Sequence, residues 1–178
     1  MKRNRRVGVN KLGVVFAAMI LVMAVAYADR DPRPEIVVAH DLAGDGQMAN
    51  QNRLPLLIMF STDGCPYCDI VENEFLRPML ISGDYEDKVI IRVVKLDRYD
   101  TLTDFNGDPI DADQLAQRYS ASLMPTVVFV DSDGREMAER LVGVTTVDYY
   151  GGDLDDRIDV ALGRVRNMRL SANSHLNP

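Results

Sequence analysis

The chain has no tryptophan, only two cysteines and two histidines, and no excess of basic residues, and each shortage removes a class of function. Structural zinc takes about four ligands. His40 lies beside a predicted strand end and His175 lies in a polar tail, so neither is placed to complete a site with the cysteines. A structural disulfide is equally unpromising. Cys65 and Cys68 enclose two residues, and the stabilisation from closing a loop shrinks with the loop. Net charge is −7, which disfavours a nucleic-acid or anionic-membrane partner and fits a solvated, acidic surface. There is no internal repeat and no low-complexity tract. The longest apolar stretch, Leu12 to Ala26, is shorter than the ~20 residues of a membrane span.

That stretch has a different pattern. Lys2, Arg3, Arg5, Arg6 and Lys11 precede it, and Ala26-Tyr27-Ala28 follows with small residues at the two positions a signal peptidase reads. The expectation is a cleaved signal peptide over residues 1–28, a domain over 29–170 and a flexible tail over 171–178, with a membrane anchor as the alternative. Residues 1–28 hold five of the 20 basic residues and no acid. The processed chain would therefore carry 15 basic against 27 acidic residues, a net charge of about −12. The location expected from the leader is the periplasm, with a membrane-anchored form facing it as the alternative.

Beyond residue 28, strand and helix patterns alternate. Glu35 to Ala39 reads as a short strand, followed by a brief helical or irregular connection. Leu54 to Phe60 is a continuous apolar run, as expected of a strand covered on both faces. A helix follows from Pro66, with Ile70, Val71, Glu74 and Phe75 at helical spacing until Arg77-Pro78 bends or ends it. Lys88 to Leu96, rich in β-branched residues, predicts another strand. The segment from Asp97 to Gln114 reads as a loop, in which Asp111 or Asp113 caps a short helix. Thr126 to Gly143 predicts two strands joined at Asp131-Ser132-Asp133-Gly134. Gly151-Gly152 reads as a turn into a closing helix, with acids at its start and Arg164, Arg166 and Arg169 at its end, opposing the helix macrodipole. The fold class is α/β: a mixed central sheet flanked by helices, with a parallel βαβ unit, then an antiparallel hairpin and a closing helix.

In that order the cysteines fall where a strand turns into its helix, at the carboxyl edge of the sheet. A helix start offers unpaired N–H groups and a positive dipole end, which favour a thiolate at Cys65. Cys68, one turn on, is placed to attack a mixed disulfide formed by Cys65 and release the partner. Two thiolates also suit copper(I), with Met59 or Met124 as a further soft ligand, although core packing is the simpler role for Met59.

The Cys65-Pro66-Tyr67-Cys68 motif after an apolar strand, with Leu123-Met124-Pro125-Thr126 before another, resembles the thioredoxin superfamily, from about Leu54 to Arg166. The leader, the run into CPYC and the insert Thr103 to Pro109 are most similar to exported thioredoxins of the sulfur-oxidation-associated periplasmic type. The resemblance implies the thioredoxin fold and thiol–disulfide exchange without a cofactor. The catalytic pair would be Cys65 and Cys68. Pro66, Tyr67, Met124 and a cis Pro125 would contact substrate, and Gly143 would match the glycine of the last strand. Partners would be protein disulfides and a membrane electron donor, served by a monomer.

The sequence departs from the family at two positions. Gly64 stands where many members have Trp, and Met59 where many have a buried Asp thought to take a proton from the second thiol. Lys95 matches the lysine that accompanies that Asp, so it is the candidate for proton handling, with a snorkelling surface lysine as the alternative. Gly151-Gly152-Asp153 resembles the glutathione-binding residues of glutaredoxins but lies too far after Pro125. The remaining alternative function is a copper(I) carrier or a redox-linked chaperone using the same pair.

Overall fold

The computed structural model describes residues 34–98 and 101–174, the last six as backbone only. The expected leader and His175 lie outside the described residues. Four strands form one mixed sheet: β1 (Leu56–Ser61), β2 (Ile90–Lys95), β5 (Thr126–Val130) and β6 (Leu141–Val142). Their order is β2-β1-β5-β6, with β1 parallel to β2 and antiparallel to β5, and β6 antiparallel to β5.

The apolar run through β1 has a direct cause. Every residue of β1 is buried, because helices cover both faces. Leu57 and Met59 face a cluster with Cys68, Val71 and Leu76, completed by Tyr150, Leu154 and Ile158 of the closing helix α5 (Val147–Ser174). Leu56, Ile58 and Phe60 face the opposite cluster. It is built on Leu42 and Ala49 of α1 (Leu42–Asn52) and Leu115 and Ala116 of α4 (Ala112–Arg118). The layered α/β class expected from the sequence is the class found.

Several local expectations give way to tertiary context. Glu35 to Ala39 forms no ladder, only a parallel bridge from Val38 to Val93. The helix after the cysteines does not stop at Pro78. It runs as α2 (Pro66–Ile70), a π-helical stretch (Val71–Leu76) and α3 (Arg77–Ser82), and ends at Gly83 with φ +75°. In the widened stretch the Arg77 N–H reaches back five residues to the Glu72 carbonyl. This local change of pitch accommodates a proline that lacks a donor and would crowd a regular α turn. Gly151 and Gly152 are not a turn, since α5 already includes them. A Cβ at Gly151 would lie 3.4 Å from the Phe75 ring, so its lack of a side chain lets α5 approach the helix carrying the cysteines. Arg164 and Arg166 do not sit at the helix end. Their guanidinium groups donate to the carbonyls of Met137 and Asp87.

The presumed loop after β2 contains a hairpin, β3 (Thr101–Thr103) with β4 (Pro109–Asp111). Within it Asp104 is buried and accepts from both terminal nitrogens of Arg118 at 2.8 and 2.7 Å. These bonds hold its carboxyl below the usual 3.8 despite the opposing cost of burial. Asp111 occupies the N-cap of α4 without a side-chain capping bond.

Asp131 to Gly134 makes the expected turn, with the Gly134 N–H on the Asp131 carbonyl. The return strand is interrupted, however, pairing only at Glu136 and again at Leu141–Val142. At Gly134 φ is +79°, and an added Cβ would lie 2.6 Å from the Phe105 ring and 2.9 Å from the Tyr119 hydroxyl. Gly134→Ala is therefore expected to cost about 2–3 kcal/mol, read as a lowered urea midpoint with an unchanged slope.

Candidate functional site

The site is assembled at the carboxyl ends of β1 and β2. After Ser61 the chain turns through Thr62, Asp63 and Gly64. Gly64 has φ +71°, and nothing lies within 4 Å of where its Cβ would be. The Asp63 N–H donates to Asp97 Oδ2 at 3.0 Å, tying this turn to the one that follows β2. Desolvation opposes the charge on Asp97, but the Asp63 backbone and the Lys95 cation hold its carboxyl below the ordinary value.

Cys65 is the N-cap of α2 and Pro66 takes the first helical position, where its missing N–H costs nothing. The Cys65 sulfur accepts the Cys68 N–H at 3.2 Å, which is the interaction a helix start offers a sulfur. The two cysteines are joined as a disulfide, with Cα atoms 5.2 Å apart. Their surroundings differ. Cys68 is 1% exposed within the cluster against Met59 and Val71, whereas Cys65 is partly exposed at the rim. Tyr67, between them, is 55% exposed.

The Leu123-Met124-Pro125-Thr126 segment leads into β5, and the Met124–Pro125 peptide bond is cis. Pro125 is buried, while Met124 and Cys65 are partly buried and pack against the same core cluster that holds Cys68. Gly143, just past β6 with φ +67°, donates its N–H to the Pro125 carbonyl at 2.7 Å. A Cβ there would lie 3.3 Å from Leu123, so a side chain would press on this segment.

Met59 is completely buried core, so β1 places no carboxylate behind the cysteines at that position. A carboxylate is supplied from the helix instead. Glu72 Oε1 lies 2.7 Å from Lys95 Nζ and accepts the Ser61 hydroxyl at 3.2 Å, while Lys95 Nζ also donates to Ser61 Oγ at 3.1 Å. Lys95 and Glu72 side chains are 13% and 17% exposed, so Lys95 does not snorkel to the surface. Glu72 is not among the site residues that the sequence pattern singles out. The available signal was its spacing, four residues after Cys68 on the same helical run.

A family model described as a thioredoxin-like domain matches residues 42–155, which include both cysteines and Pro125. No curated protein matches the chain. Among solved structures, mitochondrial thioredoxin 3 from Saccharomyces cerevisiae is 19% identical with a TM-score of 0.47, covering 68% of this chain and 94% of its own. Fasciola hepatica thioredoxin is 19% identical with a TM-score of 0.46, covering 70% and 97% respectively. An uncharacterised thioredoxin-like protein from Clostridium perfringens is 25% identical with a TM-score of 0.44, covering 72% and 87%.

Proposed function

The chain belongs to the thioredoxin-like domain family, and from that membership we propose that it is an exported thiol–disulfide oxidoreductase acting on disulfides of polypeptides. The observation that carries this reading is the asymmetry of the pair: an accessible Cys65 at a helix start, with Cys68 buried one turn behind it. In the reduced protein the Cys65 thiolate attacks one sulfur of a substrate disulfide and expels the other as a thiolate, which takes up a proton. Cys68 then loses its proton and attacks Cys65. A Cys65–Cys68 disulfide forms, and the second substrate sulfur leaves as a thiol. Two electrons pass to the substrate, and an external dithiol returns them for the next cycle.

Exposed Tyr67 and Leu123, on the cysteine and Pro125 segments, supply the apolar surface an extended polypeptide would rest on. Exposed Pro66 and partly buried Met124 extend that contact, with Pro125 buried beneath them as its support. The basic, apolar and small-residue pattern of residues 1–28 supports export by a cleaved leader. In an oxidising compartment a reductase needs a donor at the membrane, and the resemblance to the sulfur-oxidation-associated type fits such a donor. The test is direct: reduced protein is mixed with a disulfide-linked two-chain polypeptide and quenched with acid. The expected result is loss of both protein thiols matched by two new substrate thiols, passing through a reductant-sensitive covalent adduct. Thiols that stay on the protein, with no adduct, would overturn the reading.

A further inference from the structure

We propose that Glu72 is the group that takes the proton from Cys68 when this thiol resolves the mixed disulfide. The assignment rests on the dithiol reading above. At 1% exposed, Cys68 has almost no contact with solvent that could accept its proton, yet it must become a thiolate to attack. Side chains alternate along strands, so Ser61 continues the face of β1 that carries Met59, and Lys95 continues the face of β2 that carries Val93. Met59, Val93 and Cys68 share one buried cluster. The triangle of Ser61, Glu72 and Lys95 therefore lies just beyond the apolar layer on which Cys68 rests, and Glu72 sits one helical turn from Cys68.

Each group has a distinct part. The Glu72 carboxylate is an acceptor, which neither Lys95 as an ammonium nor a methionine at position 59 supplies. Lys95 and Ser61 are positioning residues that donate to it or to each other and fix its direction. In the resolving step the Cys68 S–H bond breaks toward Glu72, the Cys68 sulfur bonds to Cys65, and the substrate sulfur departs with the electron pair of the mixed disulfide. Glu72 returns the proton to the departing thiolate or to solvent. Other titratable groups around the triangle are Asp97, which feels the Lys95 charge, Asp63 bonded to it through the backbone, and Asp69 on the helix itself. Tyr150 of α5 packs on Phe75, with burial pushing its hydroxyl far above the ordinary range, so it stays neutral here.

The experiment uses reduced protein and dithiobis(nitrobenzoate), which releases one coloured thiolate when Cys65 attacks and a second when Cys68 resolves the adduct. In Glu72→Gln the first phase should stay within about twofold of wild type, while the second slows about 100-fold near neutral pH. The gap should narrow as the pH rises, because more of the Cys68 thiol then ionises without a base. Glu72→Asp should recover part of the rate and the wild-type pH profile, and it serves as the readout if the Gln variant folds poorly. A second phase unchanged in the variants, or slowed equally at every pH, would overturn the assignment while leaving the dithiol reading intact. Absence of the second phase in wild type would overturn both.

Discussion

Replacing Cys65 with serine is expected to reduce polypeptide disulfide reduction by about a thousandfold or more, to the level of buffer, because no other cysteine lies at the helix start. Cys68→Ser should behave differently. It keeps the accessible thiol and its helix-start setting but removes the sulfur that would displace the partner. Turnover should fall by a similar factor while covalent adducts with substrate accumulate, visible on non-reducing gels and lost on adding dithiothreitol. Alkylation of the reduced protein at mildly acidic pH should modify Cys65 well before Cys68, since burial withholds the second thiol. Equal activity in the two serine variants, or faster labelling of Cys68, would falsify the division of roles.

The second large effect concerns stability. Lys95→Met leaves the mostly buried Glu72 carboxylate without its cation, with only the Ser61 hydroxyl and limited solvent to compensate. A loss of roughly 3 kcal/mol is expected at neutral pH, within the range for breaking a buried pair from one side. The double variant Lys95→Met/Glu72→Leu should regain most of it, because an apolar pair of similar volume has no charge to desolvate. Urea melts of wild type, Lys95→Met, Glu72→Leu and the double variant measure the coupling. If the double variant proves as unstable as Lys95→Met alone, the loss comes from packing around the lysine stem.

These residues also mark where the sequence was readable and where it was not. β1 and β5 were legible because strands buried on both faces leave nearly unbroken apolar runs, β2 because it is rich in β-branched residues, and the cysteines because their spacing carries its own chemistry. Glu72 was not, since its role depends on Lys95 and Ser61, which are 23 and 11 residues away in the chain. The β3–β4 hairpin was hidden by its length: three-residue strands carry almost no periodicity. Asn106-Gly107, with Gly107 at φ +89°, was the turn signal that an acidic, Pro-containing segment masked. Pro78 misled for another reason. The rule that proline ends a helix assumes a regular α turn before it, whereas here the preceding turn is π-helical.

The shortness of β6 has a consequence for how this protein coexists with its own copies. An unpaired sheet edge is a template onto which another chain can add a strand, and the hazard grows with its length. β6 contributes two residues before Gly143 turns back to the Pro125 carbonyl, so that border offers a visiting strand very little backbone. At the far border the β2 backbone is partly occupied, because Val93 exchanges hydrogen bonds with Val37 and Ala39. Tyr67 and Leu123 leave exposed apolar surface, which a long open sheet border beside it would turn into a site of self-association. With both borders blunted, the backbone at either edge gives that surface little to build on.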